Sequence, residues 1–141
     1  MTIGTYTQRW TLDLDDEFGH QDVTGMLEEA TASSGVQAGA LTAQLVGSTG
    51  GLTTIEYETG ALRDLRRALD AVAPPDGEYA HNARWGDGNG FSHLRSALIG
   101  TSLGVPIVDA QLALGTWQQV VAINFDNRRR RRELVVTIVG E

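Results

Sequence analysis

Apolar and polar positions alternate from Thr5 to Leu14, and the threonines and aromatics of that stretch suit a half-buried β-strand. Asp15 to Gly19 reads as a turn. Beyond it, Asp22 is placed to cap a helix over about 23–33, where Met26, Leu27 and Ala30 recur at helical spacing and Gly35 closes the last turn. Residues 37–47 are apolar with few charges and predict a buried strand, stopped by the glycine and hydroxyl run Gly47 to Gly51. A further strand is expected from Leu52 to Glu58. The clearest helix follows: Leu62, Leu65, Leu69 and Val72 make one stripe, while Arg63, Asp64, Arg66, Arg67 and Asp70 face water. Ala73-Pro74-Pro75-Asp76-Gly77 ends it. Residues 81–93 read as a polar loop running into a short helix from Ser92 to Ile99, and three strands near 105–108, 116–125 and 133–139 complete the chain. Strands and helices in this irregular order predict an α+β fold, mainly an antiparallel β-sheet or sandwich, with two main helices and a short third. The whole of 1–141 is expected to form a single domain.

Composition narrows the chemistry more than the fold. The chain has no cysteine, and all 11 of its basic residues are arginine. Thiol nucleophiles, disulfides, Schiff-base lysines and lysine-containing phosphate loops are thereby excluded. The absence of cysteine fits a cytoplasmic location. No apolar run approaches the roughly 20 residues of a membrane helix, and the N-terminus lacks the basic and apolar regions of a signal peptide. The net charge is −7, and without the run Arg128 to Arg132 the chain would be more acidic still. An acidic body is repelled by phosphate backbones, so no nucleic-acid partner is expected. The arginine run itself reads as the solvated start of the last strand, after a turn opened by Asp126-Asn127.

Histidine, carboxylate, hydroxyl and backbone remain. His81 and His93 lie twelve residues apart in a segment that also holds Trp85, Asp87, Asn89 and three glycines. Two imidazoles brought together by such a loop suit a metal ion with a carboxylate or water completing its shell; the same spacing equally suits a polar loop whose imidazoles bond to backbone. The glycine and hydroxyl turn at 47–51 offers free N–H groups and hydroxyls to an anion, and Glu56 and Glu58 would share one face of the strand after it, with Tyr57 opposite. An ordinary hairpin with a solvated acidic edge fits those residues as well. Trp117 and Gln118 would point to opposite faces of a strand, with Trp117 packing in the core. His20 is expected at the surface.

Several motifs together resemble the YjbQ-like family, often described as thiamine-phosphate-synthase-like. They are Asp22-Val-Thr24, Tyr79-Ala-His81-Asn82, Gly86-Asp-Gly-Asn89, His93-Leu94, Gly100-Thr-Ser-Leu103, Pro106, Leu114-Gly-Thr-Trp-Gln118 and the closing Asp126 with its arginines. They follow the family's order over nearly the whole chain. The resemblance implies an α+β fold on an antiparallel sheet, a homotrimer, and a polar site with metal-like histidines near a subunit boundary. It also implies weak thiamine-phosphate synthase activity, in which a pyrimidine pyrophosphate joins a thiazole phosphate and pyrophosphate leaves.

One departure bears on that site. Where the family carries His-Thr-Thr-Ala and then Asn-Glu-Asn, this chain has Ser48-Thr49-Gly50-Gly51 and Glu56-Tyr57-Glu58, so the first of three expected histidines is Ser48. Serine is a poor zinc ligand, and a carboxylate from Glu56, Glu58 or Asp87 would have to join His81 and His93. The expectation is an enzyme acting on a small phosphorylated metabolite, with His81, His93 and Glu56 in the catalytic set. His81, His93 and Glu58 would hold a divalent metal, zinc or magnesium. Ser48, Thr49, Arg84, Asp87, Asn89, Arg95 and Gln118 would bind the ligand. The alternative is a non-catalytic phosphometabolite-binding or interaction protein that has lost the metal site. A purely structural role would leave the entropy of ordering so elaborate a loop without a return.

Overall fold

A computed structural model describes residues 2–141; Met1 falls outside the described residues. The chain runs β1 (Gly4–Leu14), β2 (Gly19–Asp22), α1 (Thr24–Ser34), β3 (Gly39–Leu45), β4 (Gly50–Ile55), α2 (Thr59–Val72), α3 (Ala80–Trp85), α4 (Gly90–Ile99), β5 (Ser102–Val108), β6 (Gln111–Leu112), β7 (Gln119–Asn124) and β8 (Arg130–Gly140). Two sheets result, a five-stranded one ordered β1-β8-β3-β5-β6 and a three-stranded one ordered β2-β7-β4. Every pairing is antiparallel. The fold is the mixed α+β arrangement that the irregular element order predicts.

The two-residue period of the strands builds the core. Leu12, Leu41, Ala43, Val105, Ile107, Leu134, Val136 and Ile138 project from one face of the large sheet, and all are buried. Most of them meet Leu52, Val120 and Ala122 of the small sheet and Val23, Leu27 and Ala30 of the α1 region in one cluster. Strand β7 is buried on both faces, because Val121 and Ile123, with Phe125 just beyond its end, pack the other way, against Leu62 and Leu69 of α2. Each such side chain contributes about 1.5–3 kcal/mol of burial free energy. The large sheet, the small sheet and α2 thus form successive layers, and α3 and α4 sit beside the β4 end of the small sheet.

Several sequence expectations are corrected here. Within residues 37–47 the strand is Gly39–Leu45, and it is buried on one face only, through Leu41, Ala43 and Leu45. Val72, the last residue of α2, is 62% exposed, although Leu62 and Leu69 of the same stripe are buried against β7. Trp117 and Gln118 lie in a turn ahead of β7, and Trp117 is 73% exposed rather than in the core. His81 lies on a short helix, α3, where a loop was expected. Strand β4 stops at Ile55, so Glu56 and Glu58 share no strand face. Glu58 instead caps α2, accepting from the amides of Gly60 and Ala61, each at 2.7 Å.

Those two amide bonds hold the Glu58 carboxyl below its usual value near 4.5. A carboxyl depressed in the folded state stabilises fully above its ordinary value and stops doing so as pH falls through the lower folded value. Glu58→Ala should therefore lower the melting temperature at pH 7 through loss of the cap. The deficit should close in acid, and a melt series from pH 7 to pH 3 checks it.

Candidate functional site

The histidines arrive from adjacent helices. His81 lies in the first turn of α3, whose last residue is followed by Gly86 at φ +71°, where only a left-handed turn lets the chain reverse. Asn82 then binds the start of the next helix, its Oδ1 accepting from the Gly90 amide at 2.9 Å. Gly90 has no room for a side chain, since a Cβ would stand 2.6 Å from Tyr79 Cβ. That close join of α3 to α4 brings the His81 and His93 rings to 4.5 Å between centroids, tilted by 48°. His81 Nδ1 is buried without a hydrogen-bond partner, and Asp87 Oδ1 stands 3.6 Å from it. His93 opens onto a groove of about 360 Å³ lined by Gly47, Ser48, Ser96, Gly100 and Thr101. No carboxylate lines that groove, in a chain carrying a net charge of −7.

Behind the groove lies a buried polar network centred on Asp126, whose side chain is 0% exposed. Its Oδ2 accepts from Thr49 Oγ1 at 3.0 Å and Arg130 Nε at 2.9 Å, and its Oδ1 accepts from the Asn127 amide at 2.8 Å. Burial works to raise the Asp126 carboxyl, but the bonds from Arg130, Thr49 and Asn89 outweigh it and hold the group below the ordinary carboxylate range. Asn89 lies between two carboxylates. Its amide nitrogen is 3.3 Å from Asp126 Oδ1 in one orientation, and 3.0 and 3.2 Å from the Asp87 oxygens when the amide is turned over. Asn89 thus donates to one carboxylate in each orientation, to Asp126 in the first and to Asp87, beside His81, in the second. Asn124 completes the frame, its Nδ2 donating to the Asp15 and Arg128 carbonyls and its Oδ1 accepting from the Asp126 amide and Arg132.

The structure sorts the residues singled out from the sequence. It brings together His81, His93, Asp87 and Asn89, and sets Ser48 at the groove with His93. Thr49 is buried, and its hydroxyl is taken up by Asp126 and Arg132, so that hydroxyl is not open to a ligand. Arg95 is 1% exposed and bound to Asp70 Oδ1 and the Ala73 carbonyl; it ties α4 to the end of α2 and does not face a ligand. Arg84 is exposed beside the Trp85 ring. Gln118 bonds Gly115 and Thr54 and lines two other depressions, not the His93 groove. Glu56 is exposed beyond β4, its carboxylate unbonded among the described residues. With Glu58 committed to its helix cap, the set His81, His93 and Glu58 does not form, and among the described residues no three His, Asp or Glu side chains converge on one point to hold a metal ion.

The arginine run is more than a solvated strand start. Arg128, Arg129 and Arg131 face water, whereas Arg132 is buried and Arg130 pairs with Asp126. The signal was present in the strand period: counting back by twos from Ile138 through Val136 and Leu134 lands on Arg132. The same count from Val120 through Ala122 lands on Asn124.

Comparison with known proteins shows the family and the fold of the chain. The family model described as UPF0047 protein YjbQ-like matches residues 8–141. A UPF0047 protein of Methanothermobacter thermautotrophicus is 35% identical over 136 residues, which cover 96% of this chain and 93% of that protein. A YbjQ-like protein of unknown function from Sulfolobus solfataricus superposes with a TM-score of 0.94 at 25% identity, covering 99% of this chain and 100% of its own. A hypothetical protein from Aeropyrum pernix does so at 0.89 and 29% identity, covering 96% and 99%.

Asp126→Asn should cost about 3 kcal/mol at pH 7, because it leaves Arg130 without its paired carboxylate and weakens the acceptor of the buried Thr49 hydroxyl. The folded Asp126 carboxyl lies below its ordinary value near 3.8, so its contribution is full above that value. The gap between wild type and variant should therefore narrow as pH falls further, and urea titrations at a series of pH values measure it.

Proposed function

The chain belongs to the YjbQ-like UPF0047 family, and from that premise we propose that it acts on a small phosphorylated metabolite bound in the groove beside His93. One observation carries the reading: an acid-free groove, lined by hydroxyls and glycine backbone, opens on one member of a packed histidine pair. His93 faces the ligand and moves a proton to or from it. His81 packs behind that ring, and Asp87 stands on its far side at 3.6 Å, so that the carboxylate and the second imidazole position the first. In its finer form the reading is a weak thiamine-phosphate synthase, a transferase whose leaving group is pyrophosphate. Arg95 is unavailable to neutralise that charge, which leaves the groove's own donors.

A divalent ion at the histidine pair is the other reading that the resemblance implies. The orphaned His81 Nδ1 favours it, but the residues present supply two imidazoles and one exposed carboxylate rather than a formed shell. Ser48, in place of the family's histidine, favours a second reading in which the groove binds its phosphorylated ligand without turnover.

The homotrimer that the family resemblance implies would need an uncharged surface, and the outer face of the large sheet offers one. Two cross-strand rows there, Thr7-Thr137-Thr42-Gly104 and Thr5-Val139-Ala40-Pro106, carry no charge. Light scattering should give three times the chain mass of 15.2 kDa, and Thr42→Arg should dissociate the assembly. A monomer in the wild type overturns that reading.

His93→Ala should lower turnover of a pyrimidine pyrophosphate with a thiazole phosphate by roughly 10²-fold or more, with His81→Ala also impaired and both variants still folded. Full turnover in His93→Ala overturns the assigned role. An inactive wild type that binds the phosphorylated compounds in calorimetry selects the binding reading. Elemental analysis of the same samples reports any bound ion directly.

A further inference from the structure

Arg132 is 6% exposed, yet it forms no ion pair among the described residues. Its Nη2 donates to Thr49 Oγ1 and to Asn124 Oδ1. Its Nε is buried without an acceptor, and Nη1 bonds to nothing among the described residues. The nearest opposing charge, Asp126, reaches it only through the Thr49 hydroxyl. A guanidinium taken out of water and left with unused donors is costly, and the cost is removed when an anion completes it.

The chain above this group is shaped to it. Gly47 adopts φ +129°, and a Cβ there would stand 2.6 Å from Arg132 Nη1. A Cβ on Gly50 would stand 3.3 Å from Arg132 Nε. The two glycines let the turn lie directly on the guanidinium. The amides of Gly47, Ser48 and Thr49 donate to no acceptor among the described residues. Gly47 and Ser48 also line the groove on which His93 opens. Consecutive free amides over a cation are the usual furniture of a phosphate site, and arginine matches phosphate geometry better than any other side chain.

We propose that the Gly47-Ser48-Thr49 turn, backed by Arg132, is the subsite that holds the phosphoryl group of the ligand. This rests on the reading that the groove takes a phosphorylated metabolite, and it assigns the anion to residues other than Arg84, Arg95, Asn89 and the Thr49 hydroxyl. Thr49 contributes its amide, while its hydroxyl passes the Asp126 charge to Arg132. The phosphoryl group lies at the Ser48 end of the groove and the remainder of the ligand extends past His93 towards Thr101.

Inorganic phosphate and pyrophosphate are the probes, titrated at constant ionic strength by calorimetry and phosphorus NMR. The wild type should bind at least one of them, and Arg132→Lys should weaken binding tenfold or more while circular dichroism shows a folded chain. Because Arg132 is buried, two turn variants keep the test decisive if that variant fails to fold. Ser48→Glu places a carboxylate on the exposed turn and should abolish binding, and Gly47→Ala should weaken it by pushing the turn off Nη1. Binding that survives in a folded Arg132→Lys, or in both turn variants, overturns the proposal, as does a wild type that binds neither anion. The two claims fail separately. Turnover lost in His93→Ala with phosphate binding intact upholds the groove reading whatever Arg132 does, and phosphate binding indifferent to Arg132 overturns the subsite alone.

Discussion

The buried Asp126 carboxylate is the interaction on which the site depends. Around it meet the turn before β4 through Thr49, the segment entering β8 through Arg130, and the residue preceding α4 through Asn89 in one of its two orientations. These segments are far apart in sequence and belong to different layers. A carboxylate in a fully buried position is unfavourable on its own, and only the convergence of charged and neutral donors makes it stable. The requirement runs both ways: satisfying Asp126 fixes where the turn and the start of α4 stand, and hence where Ser48 and His93 face each other.

Charge is distributed unevenly around this centre. The surface is acidic, yet the inner end of the sandwich holds Arg130 and Arg132 against a single carboxylate, Asp126. That cationic interior comes close to the surface at the turn where Gly47 lies against the Arg132 guanidinium. Gly47 and Ser48 of that turn also line the groove, whose walls are hydroxyls, small residues and an imidazole.

Much of the fold was legible in the sequence because it rests on periodicity. The alternation in β1, the leucine stripe of α2 and the glycine after α1 all report local rules, and the structure obeys them. The site was legible only in part. The proximity of His81 and His93 could be read from a short glycine-rich segment, since few chain paths separate its two ends. Glu58 misled because an acidic residue after a strand looks the same whether it extends the strand or caps the next helix. Trp117 misled because an aromatic beside a strand is usually core, and here the turn holds it outward. Arg132 was hidden by its neighbours, for a run of five arginines suggests solvation while strand parity sends alternate members inward. Asp126, Asn124 and Thr49 act through contacts between layers, which no local pattern encodes.

The turn and the helix behind the histidine pair differ in how firmly they are held. Strand β7 is enclosed on both faces and delivers Asn124 and Asp126 at its end, so the turn with Ser48 is anchored to the most protected part of the molecule. Helix α3 has no buried residue at all, and it carries His81 next to Asp87 on the far side. Amide hydrogen exchange would divide the site accordingly, with the amides of β7 behind the turn closed until global unfolding and those of α3 exchanging by local opening. Local motion of α3 would then alter the support behind His93 while the turn at Ser48 keeps its register with the end of β7 through Thr49 and Asp126.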